Sequence, residues 1–128
     1  MTAIIGLDVG TGSARAGVFG SVGNLLASHK QDVKMWRAAG DIAEQSSEDI
    51  WQAVCRSVRE AVSLADVALE DVQGVGFDAA CSMVVLDRDM APLSVSATGE
   101  TERNVIVWMD HRAMAQAERI ICRRLDFI

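Results

Sequence analysis

Ile4 to Asp8 is a short apolar run, and Ala14 to Phe19 alternates again beyond Gly10-Thr11-Gly12-Ser13. Two such runs across a glycine turn predict a β-hairpin. A second turn at Gly20-Ser21-Val22-Gly23-Asn24 leads through Leu25 and Leu26 to Val33, which predicts a third antiparallel strand and a meander. From Ser46 the period lengthens: Ile50, Val54, Val58, Ala61, Val62 and Ala65 recur every third or fourth residue. That spacing predicts a helix of about four turns, with Ser46 or Ser47 as cap and Glu48 and Asp49 as first-turn acids.

Val72 to Phe77 reads as a buried strand ending at Asp78, and Met83 to Leu86 as another, turning at Asp87-Arg88-Asp89-Met90 into Pro92 to Val95. Ser96 to Arg103 is a polar loop, and Val105 to Trp108 a last short strand. Asp110 is placed to cap a helix whose Met114, Ala117, Ile121 and Leu125 share one face. The predicted order is βββαβββα, an α/β class with a mixed sheet. With no repeat, no linker composition and one proline, the 128 residues read as a single unit. Phe127 and Ile128, at the end of a helical stretch, have no evident core to enter, so a truncated domain is expected.

Half the residues are hydrophobic and 23% are charged, which predicts a folded globular chain. A formal net charge of −6 opposes binding to nucleic acid or anionic membranes, which attract clustered Lys and Arg. Cys55, Cys81 and Cys122 form neither a zinc knuckle nor an even disulfide framework, and a reducing cytoplasm fits them best. His29 and His111 lack metal-ligand spacing, and Trp36 and Trp51 read as packing. No signal peptide or membrane span is legible.

Chemistry concentrates in Gly6-Leu7-Asp8-Val9-Gly10-Thr11-Gly12-Ser13-Ala14-Arg15. Glycines let backbone N–H groups approach an anion, Thr11 and Ser13 add hydroxyl donors, and Asp8 can hold a hydrated Mg²⁺ against phosphate oxygens. An ordinary hairpin turn with an exposed Asp uses the same residue types, and composition alone leaves the two readings level.

Asp8-x-Gly10-Thr11-x-Ser13 on a first hairpin resembles the first phosphate motif of the actin, hexokinase and heat-shock ATPase superfamily. Gly74-Val75-Gly76-Phe77-Asp78-Ala79-Ala80-Cys81-Ser82-Met83-Val84-Val85-Leu86-Asp87 resembles the second-strand sugar segment of the FGGY carbohydrate kinases. Asn104-Val105-Ile106-Val107-Trp108-Met109-Asp110-His111-Arg112-Ala113 resembles their Asn-x-Ile-x-Trp-x-Asp-x-Arg segment. Three motifs in register are more specific than any one. Ala80-Cys81-Ser82-Met83-Val84 is most similar to the D-ribulose kinase-like branch, departing by Ala for Thr and Met for Leu.

The resemblance implies a ribonuclease-H-like, actin-like ATPase fold and transfer of the ATP γ-phosphoryl group to a sugar or polyol hydroxyl. It implies Mg²⁺ at Asp8, and phosphate contacts from Thr11, Gly12, Ser13 and Arg15. Ala80, Cys81 and Ser82 would border the sugar, with Trp108, Asp110 and Arg112 forming or bracing the same wall. On residues alone, Trp108 could equally be core, Asp110 an N-cap and Cys81 a small packed residue. The resemblance also allows a homodimer of the full-length form. It places the family's Asp base, second phosphate motif and adenosine site downstream of residue 128. Residues 1–128 are thus expected to be a partial amino-terminal kinase domain, inactive alone. A non-catalytic sugar- or phosphate-binding fragment and a regulatory ATPase of the same superfamily are the competing expectations.

Overall fold

A computed structural model describes residues 2–38 and 41–125, with side chains described to Cys122. Phe127 and Ile128, expected to lack a core, lie outside the described residues, as does the side chain of Leu125. The predicted meander forms β1 (Ala3–Val9), β2 (Ser13–Gly20) and β3 (Leu25–Asp32). Two further strands follow, β4 (Trp36–Ala38) and β5 (Ile42–Gln45), then helix α1 (Ser47–Ala65). A 3₁₀ turn precedes β6 (Val72–Ala79), and β7 (Met83–Val84), β8 (Val105–Ile106) and helix α2 (Met114–Leu125) complete the described chain.

The strands make two sheets. The first has the order β3-β2-β1-β6, antiparallel except that β6 runs parallel to β1. A parallel neighbour requires a crossover, and α1 supplies it. The second has the order β4-β5-β8-β7 and is antiparallel throughout.

The period-2 pattern of β1 and β2 puts Ala3, Ile5, Ala16 and Val18 on one face, where they are buried against Ala61, Val62 and Val67. Ala14, Val33 and Ala53 form a second small cluster near the start of α1. Alanines at the contact let the helix lie close to the sheet. Ser46 caps α1 by accepting the Asp49 N–H at 3.3 Å, and Asp66 ends it in the left-handed region at φ 50°. The helix is 19 residues long, a turn more than its apolar pattern predicts.

Several expectations need correction. β4 and β5 were not foreseen. β6 is not buried: it is the outer strand of its sheet, and Val75 and Phe77 are 56% and 80% exposed. A continuous apolar run says that two faces want cover, not that they have it. Beyond the Asp87 turn, Pro92 makes only an isolated bridge to Leu86, and no strand spans Pro92 to Val95. Met114 and Ile121 on α2 are exposed, and so is Trp51, read from the sequence as packing. Asp110 does not cap α2, which begins only at Met114; its carboxylate accepts the Ala43 N–H at 2.9 Å instead.

One buried side chain ties the second sheet to α1. Asn104 is fully buried; its Oδ1 accepts the Ser47 N–H at 2.9 Å, and its Nδ2 donates to Ser47 Oγ and to the Val85 carbonyl. The helix start is therefore fixed against β7 and β8. Asn104→Ala leaves these groups without partners, which costs about 1–3 kcal/mol per buried group. Chemical denaturation is expected to show a loss of about 2–4 kcal/mol with an unchanged m-value.

Candidate functional site

The turn between β1 and β2 is held both from within the hairpin and from outside it. Gly10 N–H donates to the Ser13 carbonyl at 3.0 Å, and the Val33 N–H donates to the Gly12 carbonyl at 3.0 Å. Gln45 Nε2 donates to the Thr11 carbonyl at 2.7 Å. Gly12 faces open space, since a Cβ built there would meet nothing within 4 Å. The turn thus presents an exposed glycine and the half-buried Thr11 on a fixed backbone, a donor arrangement suited to an anion, whereas Ser13, expected from the sequence to offer a second hydroxyl, is 3% exposed.

Asp8 and Arg15 stand opposite each other in the β1–β2 ladder and form a 2.9 Å ion pair, each more than half exposed. Asp78 is the β6 register partner of Asp8, so Arg15, Asp8 and Asp78 make one row across three strands. Among the described residues no group of three or more His, Cys, Asp or Glu could hold a metal ion. A divalent cation here would take one or two carboxylates and complete its shell with phosphate oxygens and water. That is the ordinary preference of Mg²⁺, so Asp8 fits such an ion only when a phosphate accompanies it.

The Ala80 N–H donates to the Val9 carbonyl at 2.9 Å, bringing residues 80–82 beside the start of the turn. Ala80 and Ser82 are half-buried there, and the Cys81 residue is exposed rather than packed. From beyond β8, Trp108 reaches the same place: its indole N–H donates to Thr11 Oγ1 at 2.9 Å while the residue stays 60% exposed. Trp108 is therefore a surface wall, not core. Three segments distant in sequence, 8–15, 80–82 and 108, converge at the carboxyl ends of β1 and β6.

Asp110 and Arg112 lie behind that wall. The Arg112 guanidinium donates through Nε to Asp110 at 2.9 Å, through Nη1 to the Val95 carbonyl at 3.1 Å and through Nη2 to Glu44 at 2.8 Å. Arg103 stands 3.6 Å from the other Glu44 oxygen, and the Glu44 side chain is 2% exposed. The hydrogen bonds from Arg112 hold the Asp110 carboxyl at about 2, below its ordinary 3.8, and Asp110 holds the Arg112 guanidinium above its usual range. Both groups are committed to each other and, through Ala43, Val95 and Glu44, to the chain on either side of the second sheet.

Sequence reading missed Gln45 and Glu44 entirely. Both sit on a strand whose apolar content is too small to announce it. The available signal was negative: two polar residues immediately before a helix cap, with no turn residue between them.

The description "FGGY family of carbohydrate kinases, N-terminal domain" matches residues 3–125. An FGGY carbohydrate kinase domain-containing protein of Homo sapiens is 48% identical over 116 residues, covering 91% of this chain and 21% of that protein. A D-ribulokinase of Saccharomyces cerevisiae is 42% identical over 118 residues, covering 91% of this chain and 16% of its own length. Ligand-bound xylulose kinase from Lactobacillus acidophilus superposes with a TM-score of 0.82 at 20% identity, over 96% of this chain and 23% of that structure. The fold is thus the actin-like ATPase fold of sugar kinases. The chain spans about a fifth of the length of the curated relatives it matches.

The Asp110–Arg112 pair sets an acid limit on stability. A carboxyl whose folded value lies below its unfolded one stabilises the fold above the unfolded value and loses that contribution as pH falls through the folded one. Here the window runs from the ordinary 3.8 down to about 2. Urea unfolding is expected to show Asp110→Asn roughly 2 kcal/mol less stable than wild type above pH ~5, with the gap closing as pH drops toward ~2. A gap independent of pH would mean that Asp110 acts by shape alone.

Proposed function

The chain belongs to the FGGY family of carbohydrate kinases, and from that membership we propose that it is the phosphate-gripping and sugar-facing wall of an ATP-dependent pentulose kinase, with ribulose among its substrates. The observation that carries this reading is the contact of Trp108 with Thr11, which joins the sugar segment to the phosphate turn. ATP would supply the γ-phosphoryl group, and Mg²⁺ would neutralise part of its charge.

Each residue then has a role its surroundings favour. Gly12 N–H and the Thr11 hydroxyl face the transferring phosphate, and the buried Ser13 lies beside them at the start of β2. Arg15 is exposed and can leave Asp8 for a phosphate oxygen, while Asp8 turns to the cation. An exposed ion pair holds by only about 0–1 kcal/mol, so this exchange costs little. Ala80, Cys81 and Ser82 border the sugar, Ser82 offering a hydroxyl, and the Trp108 ring supplies a flat apolar face for sugar carbons. Asp110 and Arg112 brace that wall. The D-ribulokinase relative and the Cys81-Ser82 pair support a pentulose over other acceptors.

The general base belongs outside this chain. Asp110, held near 2 by Arg112, is too weak a base to take a hydroxyl proton. Asp8 serves the cation and Asp78 already accepts the Ala79 N–H at 3.0 Å. Residues 1–128 are accordingly the first part of an amino-terminal kinase domain, whose base, second phosphate motif and adenosine site come from elsewhere in a longer protein. That none of Asp8, Asp78 and Asp110, the carboxylates nearest the turn and the sugar segments, is placed to act as a base also supports, as a second reading, ligand binding without turnover by the chain itself.

Calorimetry on the 128-residue chain is expected to give weak Mg·ATP binding that needs the metal and disappears in Asp8→Ala, because one wall offers few contacts against the ordering costs. Tight metal-free binding, or an unchanged mutant, would reduce the hairpin to a turn. A coupled ADP assay should find no sugar-dependent turnover in this chain. A longer protein that includes it should phosphorylate pentuloses in preference to aldohexoses, with Ser82→Ala lowering kcat/KM by roughly tenfold. Sugar-dependent turnover by the chain alone, lost in Asp8→Ala, would place a base within it.

A further inference from the structure

Thr11 is gripped by both of its oxygens, and both grips come from the second sheet. Gln45, 2% exposed on β5, donates Nε2–H to the Thr11 carbonyl at 2.7 Å. Trp108, just past β8, donates its indole N–H to Thr11 Oγ1 at 2.9 Å. β5 and β8 are ladder partners, so the two donors are carried by one rigid unit.

We propose that Gln45 and Trp108 are positioning residues that aim the phosphate-binding donors of the turn, Gln45 through the Thr11–Gly12 peptide and Trp108 through the Thr11 hydroxyl. The inference rests on the phosphate-turn reading above and adds what makes the turn competent.

No peptide in the described chain is cis, and in a trans peptide the C=O and the following N–H point in opposite directions. Fixing the Thr11 carbonyl on Gln45 therefore turns the Gly12 N–H away from the second sheet and toward the open side. There Gly12 is exposed, and among the described residues nothing accepts its N–H. The following peptide is held as well, its Gly12 carbonyl accepting from the Val33 N–H, and the Thr11–Gly12 peptide itself cannot flip without losing the Gln45 hydrogen bond. The hydroxyl obeys the same logic. A threonine oxygen that accepts an indole N–H keeps its own O–H free to donate elsewhere, and among the described residues no acceptor takes it.

Gln45 is buried and touches no open surface, so it acts on a ligand only through Thr11. Trp108 has two duties: its exposed ring faces the sugar side, and its N–H orients the phosphate side. A sugar that shifts the indole thereby shifts a phosphate donor, which links the two half-sites through a single hydrogen bond.

The test is an amide NMR titration of the ¹⁵N-labelled 128-residue chain with Mg·ATP and, separately, inorganic phosphate, on wild type, Gln45→Met and Trp108→Phe. Gln45→Met keeps the buried volume and removes the donor; Trp108→Phe keeps a ring and removes the N–H. In wild type the Gly12 amide is expected to shift downfield on saturation with Mg·ATP. Gln45→Met should weaken binding about tenfold and shrink the Gly12 response, and Trp108→Phe should weaken it about fivefold, both with native-like spectra. Variants that bind like wild type, or a Gly12 amide that stays still while other turn amides respond, would overturn the positioning role and leave the phosphate turn standing. If no turn amide of wild type responds to Mg·ATP, the phosphate-turn reading fails and this role with it. Should Gln45→Met unfold, Trp108→Phe decides alone, because its side chain is exposed and its removal opens no core cavity.

Discussion

A carboxylate removed from water must be met by cations and donors, and Glu44 imposes that condition on half of this structure. Its side chain is 2% exposed, with Arg112 at 2.8 Å on one oxygen and Arg103 at 3.6 Å on the other. Removing one partner of a buried pair costs about 3–5 kcal/mol, because a charge is stranded. Arg112 can satisfy Glu44 only if Asp110 and the Val95 carbonyl hold the rest of its guanidinium. Arg103 also lies over the Trp36 ring at 5.1 Å, so β4 is drawn into the same cluster. The short second sheet is thus held less by apolar area than by one buried anion and the groups obliged to surround it.

The contrast with Asp8 and Arg15 explains how one small unit can hold both a rigid and an exchangeable ion pair. Their contact is 2.9 Å, the same as Arg112 Nε to Asp110, but it lies in water, where screening leaves about 0–1 kcal/mol. Arg112 also reaches Asp110 through Nη2 at 2.5 Å, and the Asp110 side chain is 1% exposed, so closer approach and burial together decide which pair gives way. On the proposed function, ligand exchange falls to Asp8 and scaffolding to Asp110.

How much of this could be read from the sequence follows from the same division. The meander and α1 are carried by apolar periodicity, and periodicity found them: Ile5, Ala16 and Val18 face Ala61 and Val62 as the spacing requires. The hairpin turn between Val9 and Ser13 was legible because glycines and a threonine interrupt two apolar runs there. β5 was illegible because two of its residues, Glu44 and Gln45, are polar and yet almost wholly buried, satisfied by partners as far as 68 residues away in the chain. Asp110 looked like a cap because local pattern cannot see Ala43 or Glu44. β6 looked buried because its sequence records the cover that Val75 and Phe77 require, whereas the described residues leave them exposed.

Under the proposed function, an acidic chain without a basic patch must hold phosphate by directed dipoles more than by net charge. With a formal charge of −6, the long-range field repels a polyanion, and only donors already aimed at close range can offset that. Oriented N–H and O–H groups meet the requirement because they need no reorganisation when the anion arrives. That places the burden on whatever fixes their orientation. In this fold the fixing groups are a buried amide and an indole on the second sheet, and the second sheet is itself held by Glu44. The buried charge of Glu44 is therefore the β5 neighbour of the very amide, Gln45, that on the proposed reading sets the direction of the turn's donors.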